Sequence, residues 1–208
     1  MLLIKSEDLF DPRPHLEAFA KMCRSSREYQ GDGWGMVLVN GIRGTVRHRT
    51  PVWEQDFVAF GAARLLLVHA RSAFQSHPLG VDHNMPFVDE RYSFAFNGEL
   101  HGVALHSIGW TGAAKIFELF RRLDRGDPLA ALERTLHLLE AKSRHIRACN
   151  LILTDGDRVW AFARSSDDPD YFTMHQAQCD GLAAVCSEPL ADGLHWRPLP
   201  ADTVMELT

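Results

Sequence analysis

Three short clusters in this sequence combine backbone freedom with polar groups that could act on a substrate. His69-Ala70-Arg71-Ser72 closes an apolar run, where an arginine tolerates burial only if it meets an anion. A planar guanidinium pairs with a carboxylate through two parallel N–H donors, so Arg71 is a candidate carboxylate clamp. The competing reading, stronger for the arginine alone, is an ion pair with an Asp or Glu of this same chain. Phe96-Asn97-Gly98-Glu99 also follows an apolar run. Asn97 brings a side-chain amide and Gly98 a backbone N–H with no side chain in the way, the two donors an oxyanion hole needs. In isolation Asn-Gly is better read as a tight hairpin turn joining strands at 92 to 96 and 99 to 103. The third cluster, Gln30-Gly31-Asp32-Gly33-Trp34-Gly35, allows positive φ or a close approach of the backbone. It precedes a strand instead of opening a helix and lacks a following Gly-Lys-Ser/Thr, so it is a glycine turn or a site loop, not a phosphate cradle.

Other reactive residue types carry less. The sequence holds 11 histidines, but His69, His77, His83, His101 and His106 form no HExxH and stand at no ligand spacing with carboxylates. No metal is expected. The 4 cysteines, Cys23, Cys149, Cys179 and Cys186, include no CxxC pair, which argues against a zinc ribbon or a disulfide framework and fits a reducing cytoplasm. Cys23 falls on the apolar side of a helical pattern and reads as a small buried hydrophobe.

These residues need elements to hold them. Leu2 to Lys5 reads as a short strand and Pro14 to Glu28 as a helix, with Leu16, Phe19, Ala20 and Cys23 at helical spacing. Trp34 to Asn40 and Thr45 to Arg49 form a hairpin around Asn40-Gly41. Residues 64 to 70 and 92 to 96 are continuous apolar strands of the kind covered on both faces. Between Thr111 and Ser143 the periodicity predicts two helices, broken at Gly126-Asp127-Pro128. Strands follow at 147 to 154, 158 to 164, 171 to 176 and 182 to 187, with a closing strand near Val204. Strands, helices, then strands imply sheets layered with helices.

The 208 residues suit one domain, residues 1–208, and 46% hydrophobic with 24% charged residues excludes a disordered or low-complexity chain. A net charge of -5 lacks the basic excess of a nucleic-acid binder. No apolar run reaches membrane-spanning length, so neither nucleic acid nor a membrane is an expected partner.

Taken in order, Gly31-Asp32-Gly33-Trp34-Gly35, His69-Ala70-Arg71, Asn84-Met85-Pro86-Phe87, Phe96-Asn97-Gly98 and Ser187-Glu188-Pro189 resemble the class II glutamine amidotransferases, especially their short single-domain branch. The Asp155-Gly156-Asp157-Arg158 hairpin is similar to that family too. The resemblance implies an α+β N-terminal nucleophile hydrolase fold, a four-layer αββα sandwich with two central antiparallel sheets. It implies no cofactor. An N-terminal cysteine would attack the glutamine side-chain amide with its own α-amino group as base. Arg71 would clamp the substrate carboxylate, Asn97 and Gly98 would hold the oxyanion, and Ser72, Asn84, Met85 and Gly98 would contact substrate. Gly33 and Trp34 would belong to the active-site loop. The implied partners are a small glutamine-like amide, an ammonia-accepting synthase on a separate chain and a second copy as a homodimer.

Two departures stand against this. The sequence begins Met1-Leu2-Leu3-Ile4, with no Cys, Ser or Thr at its start. Either the true start lies a few residues upstream and includes the cysteine, or catalysis is lost and the protein binds a small ligand or serves as a partner subunit. At Gly109-Trp110-Thr111-Gly112, where the family carries an aspartate for the substrate ammonium, this chain has Gly112.

Overall fold

Alternation of side chains along the strands sorts the apolar residues into three layers. The computed structural model describes residues 1–73 and 80–207. In chain order the elements are β1 (Leu2–Phe10), α1 (Arg13–Ser25), β2 (Trp34–Asn40), β3 (Ile42–His48), β4 (Ala63–Ala70), β5 (Phe87–Val88), β6 (Ser93–His101), α2 (Gly112–Leu123), α3 (Pro128–Lys142), β7 (His145–Thr154), β8 (Val159–Phe162), α4 (Pro169–Phe172), β9 (His175–Cys179), β10 (Leu182–Cys186), β11 (Arg197–Pro198) and β12 (Met205–Leu207). Among the described residues, one sheet has 7 strands in the order β11-β9-β10-β1-β4-β2-β3, the other 5 in the order β12-β8-β7-β6-β5. Neighbouring strands run antiparallel throughout.

Leu2 and Ile4 face α1 with Leu16, Phe19 and Cys23. Met1 and Leu3 face the other way, against Leu65, Leu67, Ala95 and Ile152 between the sheets. On the far side Phe94 and Phe96 pack under α2 and α3 with Phe117, Phe120, Leu132 and Leu136. Helix, sheet, sheet, helix is the four-layer sandwich that the resemblance implies.

Both helices of the outer layer begin at side-chain caps. Thr111 Oγ1 accepts from the Ala114 N–H at 3.1 Å, and Asp127 Oδ1 accepts from the Ala130 N–H at 3.1 Å.

The sequence reading needs correction in three places. β1 runs on to Phe10, past a register shift after Lys5, because polar Ser6, Glu7 and Asp8 continue the strand where it is more exposed. The strand expected at 171 to 176 begins only at His175, since Asp168 takes left-handed φ and Pro169 starts the short α4 through Tyr171 and Phe172. Asn97-Gly98 is no turn. Both residues lie inside β6, paired with Asn150 and Cys149 of β7.

Candidate functional site

The open end of the sandwich is a cleft of about 640 Å³, bordered by Met1, His69, Arg71, Asn97, Gly98 and Ser187 among others. Register explains the convergence. Leu2 pairs with Val68 and with Cys186, so the start of β1 lies beside the ends of β4 and β10. Leu65 and Leu67 face the second sheet, which by alternation sends His69 toward it as well. Asn97 follows Ala95 on the face that looks back at the first sheet.

The Met1 α-amine donates to Ser187 Oγ at 2.8 Å, and the Ser187 N–H returns to the Met1 carbonyl at 3.0 Å. The first residue is thus tied into the cleft wall. His69 beside it is buried, and desolvation, reinforced by the nearby α-amine charge, pulls its pKa down to about 3, so it is neutral.

Arg71 is 7% exposed, yet its Nη1 has no hydrogen-bond partner and it forms no ion pair among the described residues. Among the described residues, then, Arg71 does not make the intramolecular ion pair that competes with a ligand role. Its backbone is fixed on both sides: Arg71 N–H donates to the Gly33 carbonyl at 2.8 Å, and Asp32 N–H donates to the Arg71 carbonyl at 3.1 Å. Burial draws the guanidinium pKa down, with Asp32 opposing.

Cys149 exchanges both backbone bonds with Arg164, so it faces away from β6. Its partner Gly98 therefore turns its N–H away from β7, toward the edge where β5 reaches only as far as Phe94. A Cβ on Gly98 would run into the Ala148 carbonyl, which is why glycine stands there. The Asn97 side chain borders the same cleft.

Some expected residues lie elsewhere. Asn84 is 1% exposed and does not border the cleft; its amide donates to the His48 carbonyl at 2.7 Å, stapling the loop before β5 to β3. Gly33 and Trp34 do not border it either: Trp34 is buried and stacked on His48, and Gly33, with φ +107, serves through its carbonyl on Arg71. Ser72 and Met85 are at the cleft, Ser72 at its exposed rim. Cys23 packs against the first sheet, and burial pushes its thiol up to about 12. Among the described residues no group of His, Cys, Asp and Glu could hold a metal, and His77 lies outside them. No described helix is long and apolar enough to cross a membrane.

Sequence reasoning missed Arg147. It donates to Glu99 at 3.1 Å and Glu28 at 3.4 Å, bridging the two sides of the cleft mouth. The register passes from Glu99↔Ala148 to Leu100↔Ile146, which leaves Arg147 as the extra residue of a bulge on β7. No sequence pattern marks such a bulge.

The fold, two antiparallel sheets layered between helices, is shared with solved proteins described as glutamine amidotransferases. The chain is similar to glutamine phosphoribosylpyrophosphate amidotransferase from B. subtilis, with a TM-score of 0.74 at 13% identity over 99% of this chain, though it spans only 46% of that one. It is also similar to a glutamine aminotransferase class-II domain protein from Silicibacter pomeroyi (TM-score 0.60, 21% identity, 84% of this chain and 90% of that chain). A predicted glutamine amidotransferase from Pseudomonas aeruginosa gives a TM-score of 0.59 at 16% identity, over 99% of this chain and 95% of that chain. No family model matches the chain, and neither does any curated protein.

Proposed function

We propose that this protein is an amidohydrolase of the N-terminal nucleophile type, acting on the side-chain amide of glutamine or a γ-glutamyl-like compound. The observation that carries it is the buried Arg71 guanidinium, whose Nη1 has no partner among the described residues, in one cleft with the start of β1, Asn97 and the outward Gly98 N–H. Such an arrangement can anchor a carboxylate, present an amide carbon to an N-terminal nucleophile and stabilise the oxyanion that forms.

The reaction needs a thiol at the entry to β1. Its sulfur bonds to the amide carbon while the α-amine takes the thiol proton and passes it to the departing nitrogen. Ammonia leaves and a thioester remains. Water then adds to the thioester, restoring the thiol and giving the carboxylate. Met1 shares the inter-sheet layer with Ala95, the residue two before Asn97, so a cysteine in that position would face the oxyanion donors.

The test is ammonia release from glutamine by the protein beginning at Met1 and by two versions with a new first residue. One carries Cys in place of Met1, the other Cys ahead of Met1, each behind an initiator methionine whose removal is checked by intact mass. Release by either cysteine version but not by the protein beginning at Met1 supports the amidohydrolase. Silence in both, with the fold intact and a carboxylate ligand still bound, favours a ligand-binding relative.

A further inference from the structure

Past the oxyanion pair the cleft changes character. Leu100, two residues beyond Gly98 and about 7 Å along β6, begins a wall completed by Val103, Leu105, Ile116, Leu119 and Leu139. Ile108 and Trp110, in the loop between β6 and α2, are 79% and 85% exposed and stand next in sequence to Ser107 and Thr111, which border the cleft. Carboxylates do border the cleft, but Arg147 engages Glu28 and Glu99, and Glu188 follows Ser187 at the end of β10, on the other sheet from this wall. The one charged side chain on the α2 wall is Lys115, which is exposed and has no acidic partner among the described residues. Gly112, at the start of α2, leaves the cleft open there, with nothing within 4 Å of where a Cβ would stand.

Resting on the amidohydrolase reading, we infer that the substrate is an N-acylated amide, a glutamine-like molecule whose α-nitrogen carries an aliphatic acyl group in place of a free ammonium. With the carboxylate on Arg71 and the amide at Asn97 and Gly98, the remaining substituent is directed along the wall of Leu100, Val103 and Leu105. An ammonium directed along that wall shares it with the Lys115 cation, and the nearby Glu28 and Glu99 are already paired with Arg147. An acyl chain is uncharged and gains by leaving water.

The experiment is calorimetric titration of the protein with N-hexanoyl-L-glutamine, N-acetyl-L-glutamine and L-glutamine. The hexanoyl compound should bind about tenfold or more tightly than the acetyl one, since each buried methylene contributes roughly fourfold and part of the chain stays wet. Val103→Asp, at a position already 39% exposed, should weaken the hexanoyl compound more than the acetyl one and bring the two to within about threefold of each other. Gly112→Asp, which has room and places an acid at a helix N-terminus, should raise glutamine affinity relative to both. Equal affinity for the hexanoyl and acetyl compounds, or glutamine binding best to the unmodified protein, overturns the inference. The cysteine versions separate it from the reading beneath it. Acyl preference in binding, with no ammonia released by either cysteine version from any of the three compounds, sinks the amidohydrolase and keeps the acyl wall; ammonia release from glutamine with no acyl preference does the reverse.

Discussion

Arg71 is held by its backbone on both sides, so the base of its side chain is fixed at the cleft before any ligand arrives. Removing it deletes a charge-assisted pair with a buried group whose Nη1 has no other partner among the described residues. Arg71→Ala should weaken binding of a carboxylate ligand by about 1.5 to 3 kcal/mol in calorimetry. Unchanged affinity in a folded variant rules out the clamp. Asn97→Ala, made in whichever cysteine version is active, should lower turnover about 100-fold with little effect on melting temperature. A large drop in melting temperature with turnover preserved would make Asn97 a strand residue and nothing more. At this scale the sequence was informative about type but not about environment. Arg71 and Asn97 stand out in it, yet so does Asn84, whose neighbours Met85 and Pro86 look just as motif-like. What separates them is that Asn84 bonds the carbonyl of His48 on a strand far away in sequence, a contact that no local spacing records.

Elements were legible where one physical signal dominated. The helical spacing of Ile116, Phe117 and Phe120 and the stop at Gly126-Asp127-Pro128 placed α2 and α3 because both helices bury one face against a sheet. The signal failed where local propensity opposed pairing: Asn97-Gly98 has the composition of a turn, but the register with β7 extends through both residues and carries the strand on to His101. It failed again at α4, a helix too short to show any period. The cap of α2 matters to function because that helix forms one wall of the cleft. Thr111→Ala removes the acceptor for the Ala114 N–H and should cost about 1 kcal/mol in urea denaturation. Thr111→Ser, which keeps the hydroxyl, should recover most of it.

For the whole molecule, the two sheets bring together residues that the chain keeps far apart, and this convergence was the part the sequence could not show. His69 is where that packing has a measurable consequence for stability. Unfolded, it protonates near the ordinary histidine value of 6.5; folded, burial and the α-amine charge delay protonation to about 3. Below pH 6.5 the unfolded chain therefore binds a proton that the folded one does not. Stability is full above that pH and declines as pH falls through 6.5 toward about 3, by up to about 1.4 kcal/mol per pH unit for one proton. His175, also lowered by burial, adds in the same direction. The salt-bridged carboxylate of Asp168, whose pKa is lowered by Arg27, acts on the same sign but only below the ordinary carboxylate value of 3.8. The interval from pH 6.5 to about 4.5 thus isolates the histidines. In denaturant titrations over that interval His69→Gln should flatten the decline markedly, whatever it does to stability at pH 7. An unchanged slope would mean that His69 is charged in the folded protein, and that a buried cation sits between the two sheets.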